Sequence, residues 1–251
     1  MPKKAKAKKA KVKFKVKTQA KVKAFERIPS GIPGLDKLIE GGFVKGSTIL
    51  ISGGAGTGKT IFCAQFLMEG LKRGENCMFI TLEESPEDII GDVQRFGWDL
   101  QKYINEKKLF LVTKDPFQMT DIVSPLLDEI KENKVQRIVI DSIALLELYY
   151  KESSDVRKEL FKLLSGLKGI GVTSMITSEL PEETKMLGKF GVEEFIVDGL
   201  ILLKSLGLTG EIARSLRVVK MRRTEHDEDI YSIDITSKGI KILPIRHGIK
   251  I

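Results

Sequence analysis

The octapeptide Gly53-Gly54-Ala55-Gly56-Thr57-Gly58-Lys59-Thr60 constrains this 251-residue chain more than any other stretch. It fits the pattern G-x-x-x-x-G-K-[ST], and its flanks fit as well. Before it runs Ser47-Thr48-Ile49-Leu50-Ile51-Ser52, a short apolar, β-branched segment that reads as a buried parallel strand. After it runs Thr60-Ile61-Phe62-Cys63-Ala64-Gln65-Phe66-Leu67-Met68-Glu69-Gly70, apolar at helical spacing up to a glycine stop. A strand, a glycine-rich turn and a helix in that order let consecutive N–H groups converge on one point with no Cβ in the way. The positive end of the helix faces the same point, so the unit suits phosphate. The candidate nucleotide-binding residues are therefore Gly54, Ala55, Gly56, Thr57, Gly58, Lys59, Thr60 and Ile61. Lys59 can reach the β- and γ-phosphates, and the Thr60 hydroxyl can ligate Mg²⁺.

The rest of the chain repeats this rhythm. Apolar runs at 76–82, 109–112, 137–142 and 172–179 read as strands, with helices expected near 85–96, 120–132 and 154–167. Ser85-Pro86-Glu87 is a helix-opening signal, with Ser as cap, Pro at the first position and acids in the first turn. Strands alternating with helices predict a mostly parallel α/β sheet covered on both faces. After Asp198 the rhythm breaks. Leu200–Lys204, Ile212–Met221, Tyr231–Thr236 and Ile240–Leu243 read as strands on short links, hence as antiparallel additions to one edge.

Two of the apolar runs end in acids. Asp141 follows Ile138-Val139-Ile140, and the carboxyl end of a strand is where side chains meet ligand in an open α/β sheet. An acid there suits holding Mg²⁺, partly through water, opposite Thr60. Glu83 and Glu84 end the neighbouring run, where a carboxylate can orient or deprotonate an attacking water. Consecutive strand residues face opposite ways, so one of the two faces the site. Glu83 is read as the base and Glu84 as its support. Lys220 and Arg222 lie two apart on a late strand and share a face. They suit stabilising a transferring phosphoryl group, or by spacing alone form a solvated basic edge.

Charge divides the chain into a Lys-rich flexible arm, residues 1–24, and a body, 25–251. The arm holds eleven lysines and no acid, more than the whole formal charge of +8, so the body is mildly acidic. Such a composition does not fold alone. The arm reads as a solvated tail, as a contact for nucleic acid or another polyanion, or as a strand for a neighbouring subunit. Lys11-Val12-Lys13-Phe14-Lys15-Val16-Lys17 alternates with the strand period. Cys63 and Cys77 read as buried thiols of a reducing compartment. No apolar run reaches the roughly 18–20 residues of a membrane span. No apolar segment follows the basic N-terminus as in a secretory leader, so a cytoplasmic location without membrane contact is expected.

From about Ile28 onward the sequence resembles the KaiC-like proteins, of the archaeal single-domain kind, within the RecA/RadA superfamily. The residues that carry the resemblance are Ser30-Gly31-Ile32-Pro33-Gly34-Leu35-Asp36, Glu83-Glu84-Ser85-Pro86-Glu87-Asp88-Ile89-Ile90, Phe96-Gly97-Trp98-Asp99, Gly191–Gly199 and Val219-Lys220-Met221-Arg222. It implies a RecA-like P-loop core, ATP as nucleotide, slow hydrolysis and a homo-oligomeric ring, usually a hexamer. It also implies that Glu83 and Glu84 are the catalytic acids, and that Lys220 and Arg222 reach the next subunit's ATP. His226 then falls near base or ribose, Arg95 near the adenine, and Ser237 at the end of a following strand. Two features depart from the family. Arg223 stands where the family has glycine, and the lysine arm lies outside the pattern. With one ATPase module and no counterpart of the clock protein's phosphorylated segment, timekeeping and autokinase activity are not implied. The readings are thus a ring ATPase, a RadA-type DNA-binding ATPase, or an ATP-gated scaffold with negligible turnover.

Overall fold

The computed structural model describes residues 24–81, 84–113, 123–143, 146–150, 152–180, 186–205 and 214–243. The candidate base Glu83, the Lys11–Lys17 alternation and almost all of the lysine arm lie outside the described residues.

The described chain opens on a small antiparallel hairpin, β1 (Arg27–Ile28) with β2 (Phe43–Val44), around the short helix α1 (Leu35–Leu38). The main strands follow: β3 (Thr48–Gly53), β4 (Cys77–Thr81), β5 (Leu109–Thr113), β6 (Arg137–Asp141), β7 (Thr173–Glu179), β8 (Gly199–Ser205), β9 (Arg214–Met221), β10 (Ile230–Thr236) and β11 (Gly239–Ile242). They form one sheet in the order β11-β10-β9-β8-β3-β7-β6-β4-β5. The helices are α2 (Lys59–Lys72), α3 (Pro86–Gln94), α4 (Leu100–Asn105), α5 (Val123–Glu132), α6 (Leu146–Tyr149), α7 (Ser153–Ile170) and α8 (Glu193–Ile196).

The period-two geometry of a strand divides the apolar runs between two cores. Ile49, Ile51, Phe79, Val139, Met175 and Ile201 point to the face covered by α2, α3 and α4. Leu50, Met78, Ile80, Ile138, Ile140 and Ile176 point to the face covered by α5 and α7. Strands buried on both faces in this way read as continuous apolar runs. The expected parallel core and antiparallel C-terminal strands are both present.

One expectation is corrected. The strand expected over Leu200–Lys204 is not an antiparallel addition, because β8 runs parallel to β3, with Ile49 opposite Gly199 and Gly53 opposite Leu203. The long connection from Glu179 to Gly199 gives the chain room to cross back and enter in the same direction. Direction reverses only at β9, β10 and β11.

Two buried polar side chains tie distant segments together. Arg137 is fully buried, stacks 4.7 Å over the Phe66 ring, pairs with Glu75 at 2.6 Å, and donates to Pro29 O and Phe66 O. Gly70 leaves the space that its stem occupies. Gln65, on the inner face of α2, donates through Nε2 to Gly31 O and Ile240 O, and its Oε1 accepts from Ile240 N at 2.7 Å. One amide thus joins the P-loop helix to both ends of the described chain. Among the described residues, no helix is long and apolar enough to cross a membrane.

Candidate functional site

The parallel strands β3, β7, β6 and β4 end together, which gathers Gly53, Glu179, Asp141 and Thr81 at one edge of the sheet. Glycine is required at two points of the loop that leaves β3. Gly56 and Gly58 have φ of 71° and 99°, in the left-handed region that a Cβ disfavours. Thr57 Oγ1 donates to Gly54 O at 2.9 Å and staples the turn. Lys59, only 7% exposed, folds back so that Nζ donates to Gly53 O and Gly54 O at 3.1 and 3.0 Å. Its third contact is Glu179 Oε1, at 3.4 Å.

Asp141 stands across from the start of α2. Its Oδ2 accepts from Thr60 Oγ1 at 2.7 Å and its Oδ1 from Thr177 Oγ1 at 2.5 Å, so both carboxylate oxygens are aimed by hydroxyls. The peptide bond after Asp141 is cis. Thr81 Oγ1 accepts from Glu84 N at 3.3 Å and donates to Glu84 O at 3.0 Å, which ties Glu84 to the end of β4.

These groups line a cleft of about 340 Å³ that also receives Ile61, Asp92, Arg95, Arg214 and Ile235. A second lobe of about 410 Å³ shares Arg95, Arg214 and Ile235 with the first and adds Phe96, Thr236 and Ser237. The Arg95 guanidinium lies 4.7 Å over the Phe96 ring. Of the sequence-selected residues, the structure brings together at this cleft Ala55, Gly56, Gly58, Lys59, Thr60, Ile61, Glu84, Arg95, Asp141 and, in the second lobe, Ser237. Gly54 and Thr57 shape the loop beneath them.

Lys220, Arg222 and His226 are elsewhere. Met221 pairs with Gly199, which pairs with Ile49 at the start of β3, so these residues occupy the sheet end opposite the P-loop. There the two cations hold the carbonyls of α8 and of Val197, its C-cap. Lys220 Nζ donates to Glu194 O and Val197 O, both at 2.8 Å, and Arg222 donates to Phe195 O at 2.8 Å. Burial, and then the neighbouring Arg222 charge, lower the pKa of Lys220 below the usual lysine value. The half-buried His226 touches only Asp227 O, through Nδ1, among the contacts described.

Sequence reading missed Glu179 and Arg214. Glu179 ends an apolar parallel strand beside the P-loop strand, so the rule that selects Asp141 selects it too. Arg214, whose Nε donates to Gly56 O at 3.3 Å, had no local signal. The two thiols take no part in the cleft's chemistry. Burial pushes Cys77 up to about 12 and Cys63 well above its ordinary value, with Asp141 a further cause at Cys63.

A glycine-rich loop on a central parallel strand, its lysine and threonine at the floor of the cleft and an acid two strands away define a P-loop ATPase fold of the RecA type. The family described as "ATPase: KaiC" matches residues 28–247, and the chain belongs to that family. The solved structure of the KaiC-like protein PH0186 from the archaeon Pyrococcus horikoshii superposes with a TM-score of 0.77 at 39% identity. The match covers 88% of this chain and 100% of that one. Among curated relatives, the circadian clock oscillator protein KaiC of Synechococcus elongatus is 37% identical over 234 residues, 88% of this chain and 45% of its own length. The circadian clock protein KaiC3 of Synechocystis is 34% identical over 232 residues, 88% of this chain and 46% of its own length. The chain therefore spans about half the length of these curated relatives.

Proposed function

We propose that the protein hydrolyses ATP with Mg²⁺ and works as a homo-oligomeric ring whose active sites are completed by neighbouring subunits. The observation that carries the reading is the separation of two half-sites. The P-loop cleft is at one end of the sheet, and the Lys220–Arg222 pair at the other. A cation pair there cannot serve its own cleft, but in a closed head-to-tail ring it meets the next one.

The oxygen donors Thr60 and Asp141 fit magnesium. Among the described residues there is no cluster of three or more His, Cys, Asp or Glu that would form an all-protein cage. Magnesium is instead held by one or two side chains together with substrate phosphates and water. When bound, it supplies charge neutralisation at the phosphates. Lys59 leaves its loop carbonyls for the β- and γ-phosphate oxygens, while backbone N–H groups of 54–60 cradle the chain. Glu83 or Glu84 takes a proton from the attacking water as its oxygen bonds to the γ-phosphorus and the bond to the bridging oxygen breaks. Arg95, Ile235 and Ser237 border the base and ribose. Lys220 and Arg222 of the adjacent subunit stabilise the charge developing on the transferred group.

The test is complementation. Arg222→Ala subunits keep an intact cleft but fail their neighbour, and Lys59→Ala subunits fail their own cleft but supply intact cations. Once native mass measurement shows that subunits exchange, mixing the two inactive proteins is expected to restore hydrolysis. Exchange without recovery refutes the trans arrangement.

A second reading, ATP-controlled binding of nucleic acid, is favoured by the eleven lysines of residues 1–24. Counterion release would make that affinity fall steeply with salt. Deleting the arm is expected to abolish binding to single-stranded DNA. Equal binding by the truncated protein removes this reading.

A further inference from the structure

The cation pair at the end of β9 leads into a turn, Arg222–Thr224. Arg223 has φ of 61°, in the left-handed region that a residue with a Cβ disfavours. What holds the turn comes from the other end of the chain. Arg27 in β1, its side chain only 16% exposed, spreads one guanidinium over two loops. Its Nη1 donates to Gly42 O at 3.0 Å and Ile39 O at 3.3 Å in the loop between α1 and β2, and to Thr224 Oγ1 at 3.0 Å. Its Nη2 donates to Arg223 O at 3.0 Å and pairs with Glu40. Thr224 Oγ1 passes the connection on, donating to Arg222 O at 3.3 Å. Just before β1, Phe25 receives the Arg223 guanidinium at 5.0 Å from its ring centre. The opposite side of the turn is fixed by Asp198, whose O accepts from Arg222 N at 2.8 Å.

We propose that Arg27 is a positioning residue for the Lys220–Arg222 pair: by clamping the turn Arg222–Thr224 onto the N-terminal hairpin, it sets where the two cations present themselves to the neighbouring subunit's ATP. The inference rests on the trans reading of that pair. A planar five-donor fork suits the task, because one lysine ammonium could not serve the carbonyls of two loops and a hydroxyl at once. It also gives the segment that follows the lysine arm a direct hold on this turn, through Phe25 and Arg27.

The experiment uses the full chain and four variants: Arg27→Ala, Arg27→Lys, Thr224→Val and Arg222→Ala. Arg27→Ala is expected to lower kcat about ten- to a hundred-fold, the range that a misplacement of about 1 Å produces. Affinity for ATP in its own cleft should stay within about two-fold, with oligomer mass unchanged. Arg27→Lys should not restore kcat, and Thr224→Val, which spares the hairpin, should move kcat in the same direction. Mixed with Lys59→Ala subunits, Arg27→Ala should regain turnover, because their intact cations now serve its cleft. A purely structural role in its own subunit gives no such rescue. If Arg222→Ala is rescued in the mixture and Arg27→Ala is not, or if Arg27→Ala turns over normally, the positioning role is refuted. If Arg222→Ala itself is not rescued although subunits exchange, the trans reading falls, and this inference with it. Should Arg27→Ala fail to assemble, Thr224→Val decides by the same two measurements.

Discussion

Glu179→Gln is expected to tighten ATP binding about five-fold. Lys59 is the point charge meant for the phosphates, and in this structure Glu179 holds it at 3.4 Å. At that distance two unit charges attract by about 1 kcal/mol in water and about 5 kcal/mol at an effective dielectric constant of 20. The carboxylate is 49% exposed, so the value close to water applies, and Lys59 keeps its bonds to Gly53 O and Gly54 O in either protein. A nucleotide must take the ammonium from this competitor. It must also approach a carboxylate of its own sign, which acts in the same direction. Glutamine preserves the shape and an acceptor oxygen and removes only the charge, so the difference of about 1 kcal/mol becomes a factor of about five. Titration with a fluorescent ATP analogue at low and high salt measures it, and the gain should shrink as screening increases. Unchanged or weaker affinity at low salt would make Glu179 the organiser of Lys59 rather than its competitor.

Three further outcomes follow from the geometry. Gly70→Ala puts a Cβ 2.6 Å from Arg137 Cδ and 2.7 Å from its Nε. Breaking the buried Arg137–Glu75 pair costs about 3–5 kcal/mol against about 1 kcal/mol of helix gain, so urea melts should show a net loss of about 2–4 kcal/mol, and an unchanged midpoint would refute the packing argument. Cys63 and Cys77 should resist a thiol reagent in the native protein at mildly alkaline pH and react only after unfolding, since burial raises both thiols; a fast native phase would show access that the structure does not have. Lys220 has a folded pKa below its ordinary 10.5, so the unfolded chain binds its proton more tightly and stability must rise as pH climbs from the folded pKa towards 10.5. Compared with Lys220→Met in denaturant melts, the wild-type chain should gain relative stability across that alkaline window, and a flat difference would contradict the shift.

The core strands were legible because burial on both faces demands unbroken apolar runs, and Ile49-Leu50-Ile51 or Ile138-Val139-Ile140 admit few other readings. Strand direction was less so. Nothing within Leu200–Lys204 says whether it lies parallel to β3, because direction is set by the path between Glu179 and Gly199. Short elements escaped because so few residues show no period. The β1–β2 hairpin is two residues a side, and α4 has little local signal beyond the cap in which Asp99 accepts from Lys102 N. At the site, Lys59, Thr60 and Asp141 follow from chemistry at strand ends, and Glu179 should have followed with them. Arg27 could not. Its partners at Arg223 and Thr224 lie 196 and 197 residues away, and only the folded chain brings them near.

The Gln65 amide bears on the timing of biosynthesis. Its three hydrogen bonds include two with Ile240, which lies 175 residues further along the chain. At about 5–20 residues per second, a ribosome takes roughly 9–35 s to deliver that partner after Gln65 itself. Throughout that interval the P-loop helix can pack on the parallel strands already made, but the wall carrying Ile235 and Ser237 does not yet exist. The phosphate end of the cleft is therefore expected to mature before the end that borders the base. Nascent chains arrested short of β10 should accordingly retain inorganic triphosphate while no longer distinguishing ATP from it, and equal discrimination by arrested and released chains would show that the order of assembly is otherwise.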